Sequence, residues 1–392
     1  MRYYDAMIVH PHREVPKIPW ELVDECKRKM RKVWDLQDLN LHDPALAIDW
    51  ARPAGPTQSR ASMGGLYKAP IAQMIRDPEV DVCAQLQSVR EEIEHLEAGA
   101  EIGLGLVNFP SMHMIHFGTG PLATAFGSRM VVREDEQPFF EPAVHSPAEV
   151  LGLRKPNLRR DGICPLILER TDYYNEATAG QVPLEVCDTA GPWSVATQIW
   201  HYEDMLQAIV TAPEGVHYLL DLVTDCMIEW TDIQISRMAR WCTSYATLPW
   251  PWHPRGFYMG DDTMVAVSPK TWEAFFLPYN NRISRAFGGA IYHCCMRYDF
   301  QFPSLIKTEG FMGLDASPSY NDIAKVEAAL SKRGVWARRI GDLPTDEIAK
   351  TGRRDDREII RQLRGKVGLI LGVHGESRQD AIGRAKRLLD WL

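Results

Sequence analysis

From Pro183 onward the chain repeats one pattern: a short apolar run, a polar residue, then a stretch with helical spacing. The runs are Leu184-Glu185-Val186-Cys187, Gly256-Phe257-Tyr258-Met259, Ala290-Ile291-Tyr292, Gly310-Phe311-Met312-Gly313-Leu314, Val335 to Ile340, and Val367 to Leu371. The polar residues at their ends are Asp188, Asp261 or Asp262, His293 with Cys295, Asp315, Asp342 and His374. Apolar strands alternating with amphipathic helices build parallel βα units. In a (β/α)8 barrel the C-terminal ends of the strands form the active-site face. An open, doubly wound sheet is the rival, but no Gly-x-Gly-x-x-Gly turn or phosphate loop follows any of these runs. The pattern therefore predicts an α/β protein with a (β/α)8 TIM barrel.

The helical stretches carry their own punctuation. Pro213 to Arg240 holds a stripe of Val216, Leu219, Leu220, Val223, Met227, Trp230, Ile233 and Met238, a 3.6 period kept over many turns. Ser268-Pro269 reads as N-cap and first helical residue of a helix that Pro278 should kink. Ser377 with Asp380 three residues on caps the last helix. Upstream, Pro19 to Asp35 and Val82 to Leu96 have helical spacing, whereas Asp43 to Ala69 is rich in Pro, Gly and Ser and reads as loops. The expected division is a mainly helical N-terminal extension over residues 1–105, packed on a barrel over residues 106–392.

Composition narrows the partners. The formal net charge is −8 and no basic block occurs, which argues against nucleic acid and against an anionic membrane surface. No apolar run approaches membrane-spanning length, and none follows Met1-Arg2-Tyr3-Tyr4-Asp5. Eight cysteines spread irregularly over 392 residues do not form a disulfide framework, so free thiols and a cytoplasmic location are expected. A homodimer is compatible with an acidic barrel, although no interface residue stands out.

The chemistry concentrates at Ala290-Ile291-Tyr292-His293-Cys294-Cys295, which follows a helix ending in Phe287-Gly288-Gly289. Side chains along a strand alternate, so His293 and Cys295 share a face and Cys294 points away. Zinc takes nitrogen and sulfur ligands, and a catalytic zinc site uses three protein ligands and keeps one position open. The alternative is a buried histidine beside two inert core thiols. Asp261 and Asp262, at the end of the preceding strand, read either as a further ligand and a general acid or as a turn-capping pair. Asp188 and Asp315 read as structural or substrate-orienting strand-end carboxylates, and Tyr258 as a substrate-binding residue. Trp252, in the run Trp250-Pro251-Trp252-His253-Pro254-Arg255, either walls an apolar pocket for a flat substrate or packs on the surface. His113 and His116 read as a loop or core pair, with metal ligation as the alternative.

From about Asn108 to the C-terminus the chain resembles the uroporphyrinogen decarboxylase superfamily. Asp188-Thr189-Ala190-Gly191-Pro192-Trp193-Ser194 is similar to its Gly-x-Ala-Gly-x-Pro-[Trp/Phe]-Thr segment, and Val267-Ser268-Pro269 with Phe276-Leu277-Pro278-Tyr279 to its Leu-Ser-Pro…Leu-Pro-Tyr helix. Gly313-Leu314-Asp315 resembles a Gly-Leu-Asp strand end. Ile340-Gly341-Asp342-Leu343-Pro344 resembles Gly-Asn-x-Asp-Pro, and Gly372-Val373-His374-Gly375 resembles Gly-His-Gly. The N-terminal Met-Arg-Gln-Ala-Gly-Arg segment of the decarboxylases is not found in this sequence. His293-Cys294-Cys295 instead resembles the His-x-Cys-Gly of the zinc-dependent corrinoid methyltransferases, with Met296 in place of the glycine. Those enzymes carry a further cysteine near the last strand; here His374 stands at that position.

The resemblance implies zinc (Zn2+) held by His293, Cys295 and His374. It implies methyl transfer between a small-molecule donor or acceptor and a corrinoid (methylcobalamin or cob(I)alamin), supplied free or on a corrinoid protein. O-demethylation of a methoxylated aromatic is the favoured reaction. The alternatives are a decarboxylase of a small carboxylic acid, with His374 binding substrate, and a barrel that binds a ligand without turnover.

Overall fold

The computed structural model describes residues 14–42, 45–50, 68–106, 109–133, 136–242, 252–337, 356–390 and 392. Seven strands form one parallel sheet: β1 (Ala45–Trp50), β2 (Gly105–Leu106), β5 (Phe257–Gly260), β6 (Ala290–His293), β7 (Phe311–Asp315), β8 (Val335–Ala337) and β9 (Gly368–Gly375), in the order β2-β1-β9-β8-β7-β6-β5. A separate antiparallel pair, β3 (Arg129–Val131) with β4 (Phe139–Glu141), stands outside it. Between β2 and β5 in the chain, the segment around Leu184 adds a further parallel position. Its backbone bonds to Met112 on one side and to Arg240 and Cys242 on the other, and farther along Gly191 N–H donates to Gly260 O at 2.9 Å. That segment lies between the stretch that follows β2 and the stretch that leads to β5, and the chain has the (β/α)8 barrel fold.

Most expected elements stand where their spacing puts them, but the run 184–187 forms only isolated bridges at Leu184, and the long helix ends at Arg237, before Met238. Helix Pro213–Arg237 buries Val216, Leu219, Leu220, Val223, Met227 and Trp230 completely. Ser268 accepts from Thr271 N–H as the N-cap of Pro269–Phe275. Pro278 does more than kink: it lies in the first turn of a new helix, Leu277–Phe287, because a proline ring clashes with the carbonyl of the preceding turn. At the C-terminus Ser377 accepts from Asp380 N–H and caps Arg378–Leu389.

Two expectations change. Residues Asp43 to Ala69 read as loop, yet Ala45–Trp50 is a strand paired with β2 on one side and β9 on the other. The sheet therefore begins inside the segment expected to be an extension, and residue 105 lies within the barrel rather than at its border. The cause is the parallel sheet: a strand paired on both edges inside it need not alternate, so Ala-Leu-Ala-Ile-Asp-Trp carries no clear period. Helices Trp20–Trp34 and Pro78–Ala100 do form upstream as expected. Trp250, Pro251 and the strand end at Gly341-Asp342 lie outside the described residues. Among the described residues no helix is long and apolar enough to cross a membrane.

Candidate metal centre

Register places the site. Gly260 of β5 pairs with His293 of β6, and His293 pairs with Asp315 of β7, so three strand ends stand level. Gly288 lies at φ +80 in the left-handed conformation that ends helix Leu277–Phe287, and β6 starts two residues later. The strand then carries His293 to the C-terminal rim of the sheet.

His293 and Cys295 do share a face. His293 Nε2 and Cys295 Sγ are 3.1 Å apart, close enough to share a proton. Cys294 turns the other way, its Sγ 3.9 Å from Asp262 O, and burial pushes its thiol up to about 12. The third donor is Asp262. One ligand atom each from Asp262, His293 and Cys295 lies within 4.8 Å of the others, and Asp262 Oδ1 also accepts the Cys295 backbone N–H at 2.6 Å. His293 is buried while Asp262 and Cys295 are exposed, so the cluster sits at the rim with solvent on one side.

Behind His293 the support is layered. Its Nδ1 lies 2.7 Å from Asp315 Oδ2, and Tyr258 donates its hydroxyl to the same oxygen at 2.6 Å. The Tyr258 ring stacks on the imidazole at 5.8 Å. Tyr298 donates to the Asp315 carbonyl oxygen at 2.8 Å. Burial pulls the His293 pKa down, but Asp315 and Cys295 outweigh it and raise the imidazole to about 10. A carboxylate on the far nitrogen fixes the tautomer, as it does for histidines that bind metals.

Asp261 faces elsewhere. It is buried, accepts from Ser194 and Thr263 hydroxyls at 2.9 Å each, and its backbone N–H continues the ladder to His293 O. Burial raises its pKa to about 7 against the pull of those two hydroxyls. Asp188 is buried too and accepts from Ala190 N–H, bracing the turn before Gly191.

Two expected members are not brought in. His374 is exposed on β9, and β7 and β8 lie between that strand and β6. One row of paired residues runs from Tyr292 through Leu314 and Trp336 to Leu369. His293 stands one residue beyond that row, whereas His374 stands five residues beyond it. Counted along their strands, the two residues stand four positions out of register. Its ring is not among the donors gathered around Cys295. Trp252 lies before the start of β5, at the opposite end of the strands. It is buried against Phe109, with Lys27 over its ring and its carbonyl accepting from Trp34 Nε1 at 2.8 Å. It packs the base of the barrel and walls no pocket at the rim.

His113 and His116 are both buried, as a core pair. His116 Nε2 is 3.1 Å from Asp81 Oδ2, and Asp81 also meets Arg170 and the Tyr174 hydroxyl. Burial alone would raise the Asp81 carboxyl, but His116, Arg170 and Tyr174 hold it below its ordinary value. The residues not picked out from sequence are the supporting ones: Tyr298, Thr263, and Ser194 as a hydrogen-bond donor. Nothing local in the sequence marks these roles, since Tyr298 and Ser194 act across element boundaries and Thr263 through a turn.

The chemistry of the donor set fits zinc: nitrogen, sulfur and oxygen from three side chains, with an open side toward solvent. The sequence profile of the uroporphyrinogen decarboxylase (URO-D) family matches residues 112–335, more than half of the chain. Among solved structures, a methyltransferase from Methanosarcina mazei is similar, with a TM-score of 0.59 at 13% identity, covering 93% of this chain and 97% of that one. That likeness concerns the fold. No match was found among curated proteins.

Proposed function

The chain belongs to the uroporphyrinogen decarboxylase family, and from that premise we propose that it is a zinc-dependent methyltransferase. In this reading a methyl group moves between a small substrate and a corrinoid, carried free or on a partner protein. The observation that supports it is the convergence of Asp262, His293 and Cys295 at the rim, with Asp315 behind the histidine. Those three side chains would hold the ion, with His374 outside the set. Bound zinc supplies Lewis acidity, toward a thiol held as thiolate or toward an ether or alcohol oxygen.

The protein's own groups define the rest. Asp315 keeps the Nδ1 proton of His293 and turns Nε2 toward Cys295. Asp262 braces the chain after β6 through the Cys295 N–H, which fixes the thiol's position. Asp261, held by the Ser194 and Thr263 hydroxyls, braces the strand end beside the cluster. Demethylation of a methyl ether, methoxylated aromatics among them, takes up a proton at the leaving oxygen, and the exposed side of the cluster gives solvent access for it. Trp252 no longer contributes to the choice of substrate.

A second reading, decarboxylation of a small carboxylic acid, is favoured by the family match itself. Metal analysis of wild type, His293→Ala, Cys295→Ala, Asp262→Ala and His374→Ala separates the readings. The expected result is loss of a full zinc equivalent in the first three variants and none in His374→Ala, together with loss of methyl-ether cleavage in the presence of cob(I)alamin. Zinc content indifferent to His293 and Cys295 would overturn the methyltransferase reading. Loss on His374→Ala, with Asp262→Ala unaffected, would return His374 to the ligand set in place of Asp262.

A further inference from the structure

A second group of donors shares no residue with the rim cluster. The Val144 and Trp200 backbones form a parallel bridge, with His201 N–H donating to Val144 O at 2.9 Å and Ala143 and Val144 N–H donating to Ile199 O at 3.0 and 3.1 Å. The bridge sets the next residue of each segment, His145 and His201, side by side, and their ring centroids are 5.5 Å apart at 32°. Asp204, in the first turn of helix Tyr202–Thr211, reaches both rings. Its Oδ2 is 3.7 Å from His145 Nδ1 and 3.4 Å from His201 Nδ1.

We propose that His145, His201 and Asp204 form a second binding site for a divalent transition metal, pinning the 142–146 segment to the start of helix Tyr202–Thr211. Ligand atoms from all three residues lie within 4.8 Å of one another. Neither nitrogen is within good hydrogen-bond range of the carboxylate, so hydrogen bonding does not account for both rings turning Nδ1 to one oxygen. The spacing suits a shared cation: two ligands each about 2.1 Å from a tetrahedral ion lie roughly 3.4 Å apart. Two imidazolium rings around one carboxylate would repel each other, whereas two neutral rings direct two lone pairs to the same point. Glu149 holds the segment from behind: its carboxylate accepts His145 N–H at 2.8 Å, while its own N–H donates to the Ser146 hydroxyl. The three side chains remain 61%, 43% and 40% exposed, so an ion enters from solvent and keeps open positions. Imidazole and carboxylate together suit zinc, nickel or cobalt better than calcium.

The site has no residue in common with the rim cluster, and its test keeps the two apart. Zinc is measured by equilibrium dialysis in wild type, His145→Ala/His201→Ala, His293→Ala/Cys295→Ala, and the combined variant. The outer double variant should lose one equivalent relative to its parent in both backgrounds, and zinc should raise the melting temperature of the His293→Ala/Cys295→Ala protein but not of the combined variant. Equal zinc content and equal melting response with and without His145 and His201 would overturn the proposal. Because both histidines lie at the surface, circular dichroism of the double variant should match wild type; if it does not, Asp204→Asn, which removes only the anionic ligand, must show the same loss.

Discussion

What His293 can do depends on Asp315. An imidazole alone could present either nitrogen, but a buried carboxylate 2.7 Å from Nδ1 leaves Nε2 for Cys295 and for an ion. Tyr258 and Tyr298 hold that aspartate from two further sides. Replacing Asp315 with Asn keeps the shape and removes the charge. The expected outcome is a loss of zinc affinity of roughly 10- to 100-fold, as for a supporting partner of this kind. Competition against a chromophoric chelator measures it. An unchanged affinity would mean that Asp315 only packs the rim. The His-x-Cys face was legible because strand alternation is local. Asp315 as partner was not, because the sequence gives a strand-end aspartate no address on the neighbouring strand.

At the scale of elements, glycines set how closely β5, β6 and β7 begin. Gly289 lies at φ +150, and a Cβ there would overlap Met312 Sδ and stand 2.9 Å from Gly310 O. Gly256 faces the same sulfur: a Cβ there would lie 2.5 Å from it and 3.3 Å from the Gly289 carbonyl oxygen. Gly289→Ala meets backbone strain of about 1–3 kcal/mol and a further overpacking cost of about 1–3 kcal/mol. Chemical denaturation should register a loss within the sum of those ranges. A near-neutral substitution would show that the three strand starts can spread without consequence. The sequence announced a turn at Gly288-Gly289, and Gly288 does end the helix. The close approach of Gly289 to Met312, on the neighbouring strand, is a packing fact that no turn rule contains.

Across the whole molecule, buried charge shapes the response to pH. Glu185 is buried, accepts from the Ser111 hydroxyl at 2.5 Å, and burial lifts its pKa from 4.5 to about 7. Its neighbour Glu92 is raised as well, first by burial and then by Glu185. A carboxyl whose folded pKa is raised contributes stability that is fully present below about pH 4.5 and lost as pH climbs through about 7. Glu185→Gln removes that dependence. Between about pH 4.5 and pH 8 the wild type should lose on the order of 3 kcal/mol relative to the variant. Urea midpoints for the two proteins across that range test it, and parallel curves would mean that Glu185 stays ionised in the fold.

By itself the sequence determined the alternation of strand and helix, the caps at Ser268 and Ser377 and the shared face of His293 and Cys295. All of these follow from local periodicity and backbone chemistry. The tertiary structure decided that Ala45–Trp50 is a barrel strand, that Trp252 packs the base, and that Asp262 rather than His374 stands beside His293 and Cys295. Those outcomes depend on which strands are neighbours and in what register, and register is fixed by packing between segments far apart in the chain.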